Sequence, residues 1–114
     1  MVHFIHTVQL SIDDLGDVHE EIFEARPKWY FIGLRLKLPV DILDGIEAQY
    51  GSDLVKCFCE MLKKWLTRVD PPPTWKAMSE ALSSQSVDKA QLALKVTRNH
   101  CLPENPLQGM QFFL

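Results

Sequence analysis

The chain has 114 residues, of which 46% are hydrophobic and 24% are charged, a composition that suits one globular domain with a buried core. Its formal net charge of −3 lacks the basic excess of a broad nucleic-acid footprint, so no nucleic-acid partner is expected. No apolar run approaches the roughly 18 residues needed to span a bilayer, which argues against membrane insertion.

Two short helices are predicted to follow a lead, 1–10, whose structure the sequence does not indicate. Ser11 is a favourable N-cap for the first helix, and Asp14 three residues later forms a near-capping-box arrangement. Pro27 is expected to break this helix before the second begins. Apolar residues recur at helical spacing in both: Leu15, Val18 and Ile22 in the first, and Trp29, Ile32, Gly33 and Leu36 in the second.

The third and fourth helices are predicted from their end signals and their apolar stripes. Pro39 lies at the start of the third helix, and Gly51 ends it. Ser52 can then cap a long fourth helix over about 52–68. The predicted buried sides are Leu43, Ile46 and Tyr50 in the third helix, and Leu54, Phe58, Met61, Leu62 and Trp65 in the fourth.

A stiff connector, Asp70 to Pro73, separates the fourth helix from the last two. It carries three successive prolines, and Thr74 directly after it can cap the fifth helix. A polar turn follows, and the sixth helix ends near Arg98. The predicted stripes are Trp75, Met78 and Leu82 in the fifth helix, and Val87, Ala90 and Leu94 in the sixth.

The pattern as a whole predicts one fold class. No segment shows the sustained alternation of a half-buried strand between hairpin turns. Six short helices with short connections indicate an all-α, antiparallel six-helix bundle. The residues expected to be largely buried in it are Trp29, Phe58, Leu62, Trp65 and Trp75.

Four short motifs, in order along the chain, carry a resemblance to a known module. They are Trp29-Tyr-Phe-Ile-Gly-Leu-Arg-Leu36, Ile42-Leu-Asp-Gly-Ile-Glu47, Met61-Leu-Lys-Lys-Trp-Leu66, and Thr74-Trp75 before Ala81-Leu82. Together they resemble helices two to five of the death domain, and the resemblance covers roughly residues 11–98. It departs from the family at Gly33, where alanine is more usual, and at the triple proline before the fifth helix.

The resemblance implies a death-fold topology, in which six helices are arranged as a helical Greek key. It also implies a cytoplasmic adaptor that catalyses nothing and acts in signal transduction, such as apoptosis, through homotypic association with another death-fold domain. Self-association is a further possibility that it leaves open. The family holds no cofactor or metal, and none is expected here.

The remaining segment, 99–114, is predicted to be a proline-containing tail. Pro103 and Pro106 should keep it non-helical from His100 to at least Pro106. Its last residues are too apolar for a purely solvating tail and are expected to dock on the bundle or on a neighbouring molecule: Met110, Phe112, Phe113 and Leu114.

The residues that could carry chemistry do not form a recognisable site. His3 and His6 have an HxxH spacing but no acidic or thiol partner nearby, which is weak support for a metal. Cys57 and Cys59 lie two apart on a predicted helix and so point in different directions, which disfavours both a disulfide between them and a joint metal site. An odd cysteine count, three, favours a reducing compartment. No catalytic role is predicted.

Charge, in contrast, is segregated by helix. Between Asp13 and Glu24 the chain has six acidic residues and no basic one, and the next run is entirely basic. The third helix is acidic again. On the fourth helix, Glu60 is expected to pair with Lys64, leaving two further lysines without a carboxylate. The predicted partner-binding residues are Asp13, Asp17, Glu20 and Glu24 (one ridge of the first helix), Lys28, Arg35 and Lys37, then Asp41, Asp44 and Glu47, and Lys56, Lys63 and Lys64.

Like charges four residues apart destabilise an isolated helix, so folding alone does not favour this arrangement. Complementary patches on different faces favour heterologous contacts between molecules. Three other interpretations remain open at this point: solvated faces without a partner, a structural domain that packs only within its own chain, and a small helical nucleic-acid-binding domain.

Overall fold

The computed structural model of the protein describes residues 9–101. Within this range the backbone forms six α-helices and two 3₁₀ segments, and the only strand-like feature is an isolated bridge between Gln9 and Thr74. The helices are α1 (Leu15–Glu21), α2 (Trp29–Arg35), α3 (Val40–Tyr50), α4 (Leu54–Leu66), α5 (Trp75–Ser83) and α6 (Ala90–His100). The predicted all-α, six-helix bundle is confirmed.

The chain enters the bundle through a capping box, as predicted. The Ser11 side chain caps the first turn, and the Asp14 carboxylate accepts a hydrogen bond from the Ser11 backbone N–H at 2.8 Å. The turn that this box starts is a 3₁₀ segment, Ile12–Asp14, and α1 continues directly from it. Pro27 was expected to end the first helix, but α1 already ends at Glu21 and a second 3₁₀ segment, Phe23–Lys28, contains the proline.

The other two side-chain caps divide into one correct and one wrong prediction. Thr74 caps α5 as expected, with its Oγ1 accepting from the Ala77 N–H at 3.1 Å. The cap of α4 is Asp53 and not Ser52, because Asp53 Oδ1 accepts from the Lys56 N–H at 3.0 Å. A carboxylate at this end of a helix also interacts favourably with the helix dipole.

The predicted stripe of the sixth helix is wrong in its phase. Leu94 is 54% exposed, and the buried residues of α6 are Leu92, Ala93 and Val96. Val87 is buried as well, but it lies in the turn before α6, so counting helical positions from it misplaces the stripe. The same helix extends to His100, two residues beyond the predicted end and into the segment that was expected to be non-helical.

The core is built around α4. This helix contacts α1, α2, α3 and the 3₁₀ segment Phe23–Lys28, while α5 packs mainly against α6 and also meets α2. Burial of the five predicted core residues is confirmed, and Phe58, Leu62 and Trp65 are fully inaccessible. Leu54 was expected on the same face but is exposed at the first turn of α4.

The described chain begins by joining this core. Leu10 is buried, and its backbone N–H donates to the Pro73 carbonyl at 2.8 Å. With the bridge from Gln9 to Thr74, this contact holds residues 9–10 against the start of α5. His3, His6 and the predicted tail beyond Cys101 lie outside the described residues.

Close packing explains the glycine at position 33, where the death-domain pattern more usually has alanine. Gly33 is buried on α2, and a Cβ placed there would lie 2.6 Å from Leu43 Cδ2 and 3.2 Å from Met61 Cγ. The missing side chain therefore lets α2 approach α3 and α4 closely.

Enlarging Gly33 to valine is expected to lower the free energy of unfolding by about 1–3 kcal/mol, because the added carbons overpack a filled region. Gly45 supplies the matched control, since it is exposed within α3 and nothing lies near its missing Cβ. Gly45→Ala should raise the free energy of unfolding by about 0.5–1 kcal/mol through helix propensity. Urea unfolding followed by circular dichroism measures both, and a stabilised Gly33→Val protein would contradict the packing argument.

Candidate functional site

The acidic side chains near the start of the chain serve two different purposes. Asp14 belongs to the capping box, and Glu21 binds His100, so the fold uses both. The four residues of the predicted ridge are exposed, and their side chains have no ion-pair or hydrogen-bond partner within residues 9–101. They do not share one α-helix, however, because α1 covers only Leu15–Glu21. The predicted continuous ridge is therefore two α1 residues, Asp17 and Glu20, flanked by Asp13 and Glu24 in the 3₁₀ segments.

Glu21 ties the two ends of the bundle together. Its Oε1 lies 2.7 Å from His100 Nε2, and its Oε2 accepts from Asn99 Nδ2 at 3.2 Å. The His100 ring also stacks on Trp75, with the ring centroids 3.9 Å apart and the planes within 6° of parallel. This cluster joins α1, α5 and α6, so Glu21 belongs to the scaffold and not to a docking surface.

The basic run around α2 likewise separates into structural and unpartnered residues. The Arg26 guanidinium lies 4.1 Å from the centroid of the Phe23 ring and donates to the Phe23 carbonyl at 2.9 Å. Lys28, Arg35 and Lys37 have no carboxylate within ion-pair distance in the described part of the chain. These three residues, all predicted from sequence, are therefore the cations on this side that folding does not use.

Lys37 lies at an unusual backbone position. Its φ is 69°, in the left-handed region that a residue with a Cβ disfavours. The Lys37 N–H donates to the Leu34 carbonyl at 3.1 Å, and the next N–H, of Leu38, donates to the Gly33 carbonyl at 3.0 Å. This pair of hydrogen bonds is a Schellman motif, in which glycine is the usual residue at the left-handed position.

Two of these cations line a cleft that sequence reasoning missed. A hollow of about 450 Å³ lies between the end of α2, the proline connector and α5. Arg35 and Lys37 line it together with Arg68, which follows α4 and was not among the predicted residues. The available signal was a basic residue two positions before a rigid proline connector, but the approach of α2 to that connector is a tertiary contact. The other lining residues are Leu36, Pro71, Pro72, Thr74, Ala77, Glu80 and Ala81.

The acidic residues of α3 have mixed environments. Asp44 accepts a hydrogen bond of 2.6 Å from the Tyr30 hydroxyl, and this bond, followed by desolvation, raises the pKa of Tyr30. Asp41 shares a shallow hollow between α3 and α4 with Glu60 and Lys64. Acidic Asp41 of α3 and basic Lys64 of α4 therefore lie at the same groove, and the two helices do not form well-separated charged patches.

The ion pairs of α4 differ from the prediction. Glu60 pairs with Lys56 at 3.2 Å and with Lys63 at 3.0 Å, and not with Lys64. Lys64 has no carboxylate within ion-pair distance among the described residues and lines the groove beside α3. The hydrogen bond from Lys63 and the charge of both lysines lower the pKa of Glu60, although partial burial opposes this.

Glu60→Gln is expected to reduce the free energy of unfolding by about 0.5–1 kcal/mol near neutral pH, because it breaks two partly exposed ion pairs. The folded pKa lies below the value of about 4.3 for an unfolded chain. The contribution is therefore fully present above that value and is lost as pH falls through the folded pKa. The free energies of unfolding of wild type and variant, measured with urea, should converge at low pH.

Glu80→Gln is the control for this prediction. Glu80 forms the looser pair, 3.8 Å from Lys76, and both side chains are well exposed. Its removal should change stability less. A penalty for Glu60→Gln that is the same at every pH would contradict the charge-based explanation.

Comparisons with known proteins give no family assignment: no family profile, no curated protein and no solved structure matches the chain. Within residues 9–101, no three histidine, cysteine or acidic side chains are grouped as metal ligands would be. None of the helices described here is long and apolar enough to cross a membrane. Burial raises the pKa of the Cys57 thiol, whose Sγ donates to the Tyr50 carbonyl at 3.1 Å.

Proposed function

We propose that the protein is an adaptor module that acts in intracellular signal transduction by associating with another death-fold domain or with further copies of itself. The four sequence motifs on helices two to five support the proposal, and so does the six-helix, all-α architecture. Such a module needs surfaces and not an active site.

The observation that carries the proposal is the distribution of unpartnered charge. The four ridge residues and the three cations at and around α2 are of opposite sign, and their side chains have no ion-pair partners within the described chain: Asp13, Asp17, Glu20 and Glu24, and Lys28, Arg35 and Lys37. In contrast, α4 satisfies two of its lysines through Glu60. Charges that folding leaves unpaired are available to a partner, and two faces of opposite sign permit one molecule to bind the next in repeated heterologous contacts.

The structure changes which residues test this idea best. Asp44 binds Tyr30 and Lys63 binds Glu60, so reversing either charge would disturb internal contacts as well as any interface. Glu20 and Arg35 are exposed and have no such contacts within residues 9–101. They represent the acidic and the basic face, respectively.

Single charge reversals, Glu20→Lys or Arg35→Glu, are expected to weaken association roughly tenfold or more, because like charges meet at a complementary interface. Mixing the two variants should restore binding, since each then offers the charge that the other lost. Sedimentation velocity, on the chain alone and with candidate death-fold domains, measures association. The association should weaken as ionic strength rises from about 0.05 M to about 0.5 M.

Lys95→Glu is the matched control, because Lys95 is exposed on α6 and belongs to neither face. It should leave both association and circular dichroism unchanged. Association that ignores salt and both reversals, or that fails with every death-fold domain and with the chain itself, would show that these faces are only solvated.

A further inference from the structure

The cleft beside α5 concentrates positive charge on a chain whose formal net charge is −3. Three cations line it: Arg35, Lys37 and Arg68. Among the described residues of its lining, the only acidic one is Glu80, which already pairs with Lys76 at 3.8 Å. The cleft therefore offers cationic groups that form no ion pair with a described carboxylate.

Arg68 is the best-positioned of these cations. Its Nε donates to the Pro71 carbonyl at 3.1 Å, which orients the guanidinium beside the proline connector. Burial lowers its pKa, with Asp70 acting in the opposite direction, and no carboxylate of the described chain lies within ion-pair distance. A guanidinium has five N–H donors, so most of them remain for a ligand.

Lys37 gives an independent reason to regard the cleft as functional. Its left-handed backbone position favours glycine, yet a long cationic side chain stands there and lines the cleft. The turn itself gains nothing from a side chain. A residue kept in a disfavoured conformation is a reason to look for a function of that residue.

Three cations around one hollow match the double negative charge of a phosphate monoester better than the single charge of a carboxylate. Arginine also binds phosphate oxygens in a bidentate way. The volume of about 450 Å³ exceeds that of a phosphate group and leaves room for the residues beside it, against the prolines and alanines of the lining. The overall negative charge disfavours extended polyanions such as nucleic acids or an anionic membrane.

We propose that this cleft binds a phosphorylated side chain on a segment of the partner protein, with Arg35, Lys37 and Arg68 contacting the phosphate oxygens. The inference rests on the proposed function and adds the chemistry of the partner to it. Recognition of phosphorylated segments by clustered arginines is an established physical mode of peptide binding.

The test is a titration of the ¹⁵N-labelled chain with a short peptide that has one central phosphoserine between alanines. Saturable amide shifts are expected at residues 35–37 and 68–70 and along α5. Matched peptides with serine or glutamate at the centre should bind at least roughly tenfold more weakly. Arg35→Gln and Arg68→Gln should each weaken the phosphopeptide by a similar factor, and Lys95→Gln should leave it unchanged.

Lys37→Gly separates a binding role from a structural one. It relieves the left-handed conformation, so the melting temperature should rise by a few degrees, while phosphopeptide affinity should fall. A purely structural lysine would not produce opposite changes. Unchanged phosphopeptide affinity in Lys37→Gly and in both arginine variants would overturn the assignment.

Inorganic phosphate and a single-stranded oligonucleotide complete the test. Equal affinity for inorganic phosphate and the phosphopeptide would indicate an adventitious ion only, and tighter binding of the oligonucleotide would indicate a different ligand class; either result overturns the proposal. If the wild-type chain associates in a salt-dependent way but does not bind the phosphopeptide, the cleft proposal is refuted and the docking faces are not. If the wild-type chain binds the phosphopeptide but does not associate, the docking faces are refuted and the cleft is not.

Discussion

Burial of the apolar face of α4 is the constraint on which the other helices depend. Phe58, Leu62 and Trp65 are fully inaccessible, and α1, α2 and α3 all pack on this helix. This packing leaves one hydrogen-bond donor unsatisfied, because the indole N–H of Trp65 is buried without an acceptor in the described structure. An unsatisfied buried donor costs about 1–3 kcal/mol, which burial of the large apolar indole can offset. Close packing around α4 also accounts for Gly33, where a methyl group would meet Leu43.

With α4 at the centre, the charged residues are confined to the outer faces, where the fold treats them unequally. Glu60 satisfies two lysines of α4, Glu21 holds His100, and Asp44 accepts from Tyr30. Unpaired charges include the acidic ridge at and around α1, the cations at and around α2, and the cations of the cleft next to α5. The charged residues that stabilise the bundle are therefore largely different from those that the proposed association would use.

Local signals were sufficient for much of the fold. Ser11 and Thr74 are caps because their side chains reach N–H groups a few residues away, and the apolar period of α4 identifies its core face. The N-cap of α4 was harder to predict, since the adjacent residues Ser52 and Asp53 are both good caps and only backbone geometry selects Asp53. The cleft needed tertiary information, because Arg35 and Arg68 are far apart in sequence. Glu60 has several lysines at neighbouring positions of the same helix, and side-chain conformation decides which of them form ion pairs with it.

The two ends of the described chain meet at two neighbouring residues, the N-cap and the first residue of α5. Gln9 bridges Thr74, and His100 stacks on Trp75. A short peptide linker could therefore join the ends, and new termini could be opened in the polar turn at 83–86 without cutting a helix core. Thr74 also lines the cationic cleft. The bridge from Gln9 to Thr74 therefore places the first described residues beside that cleft.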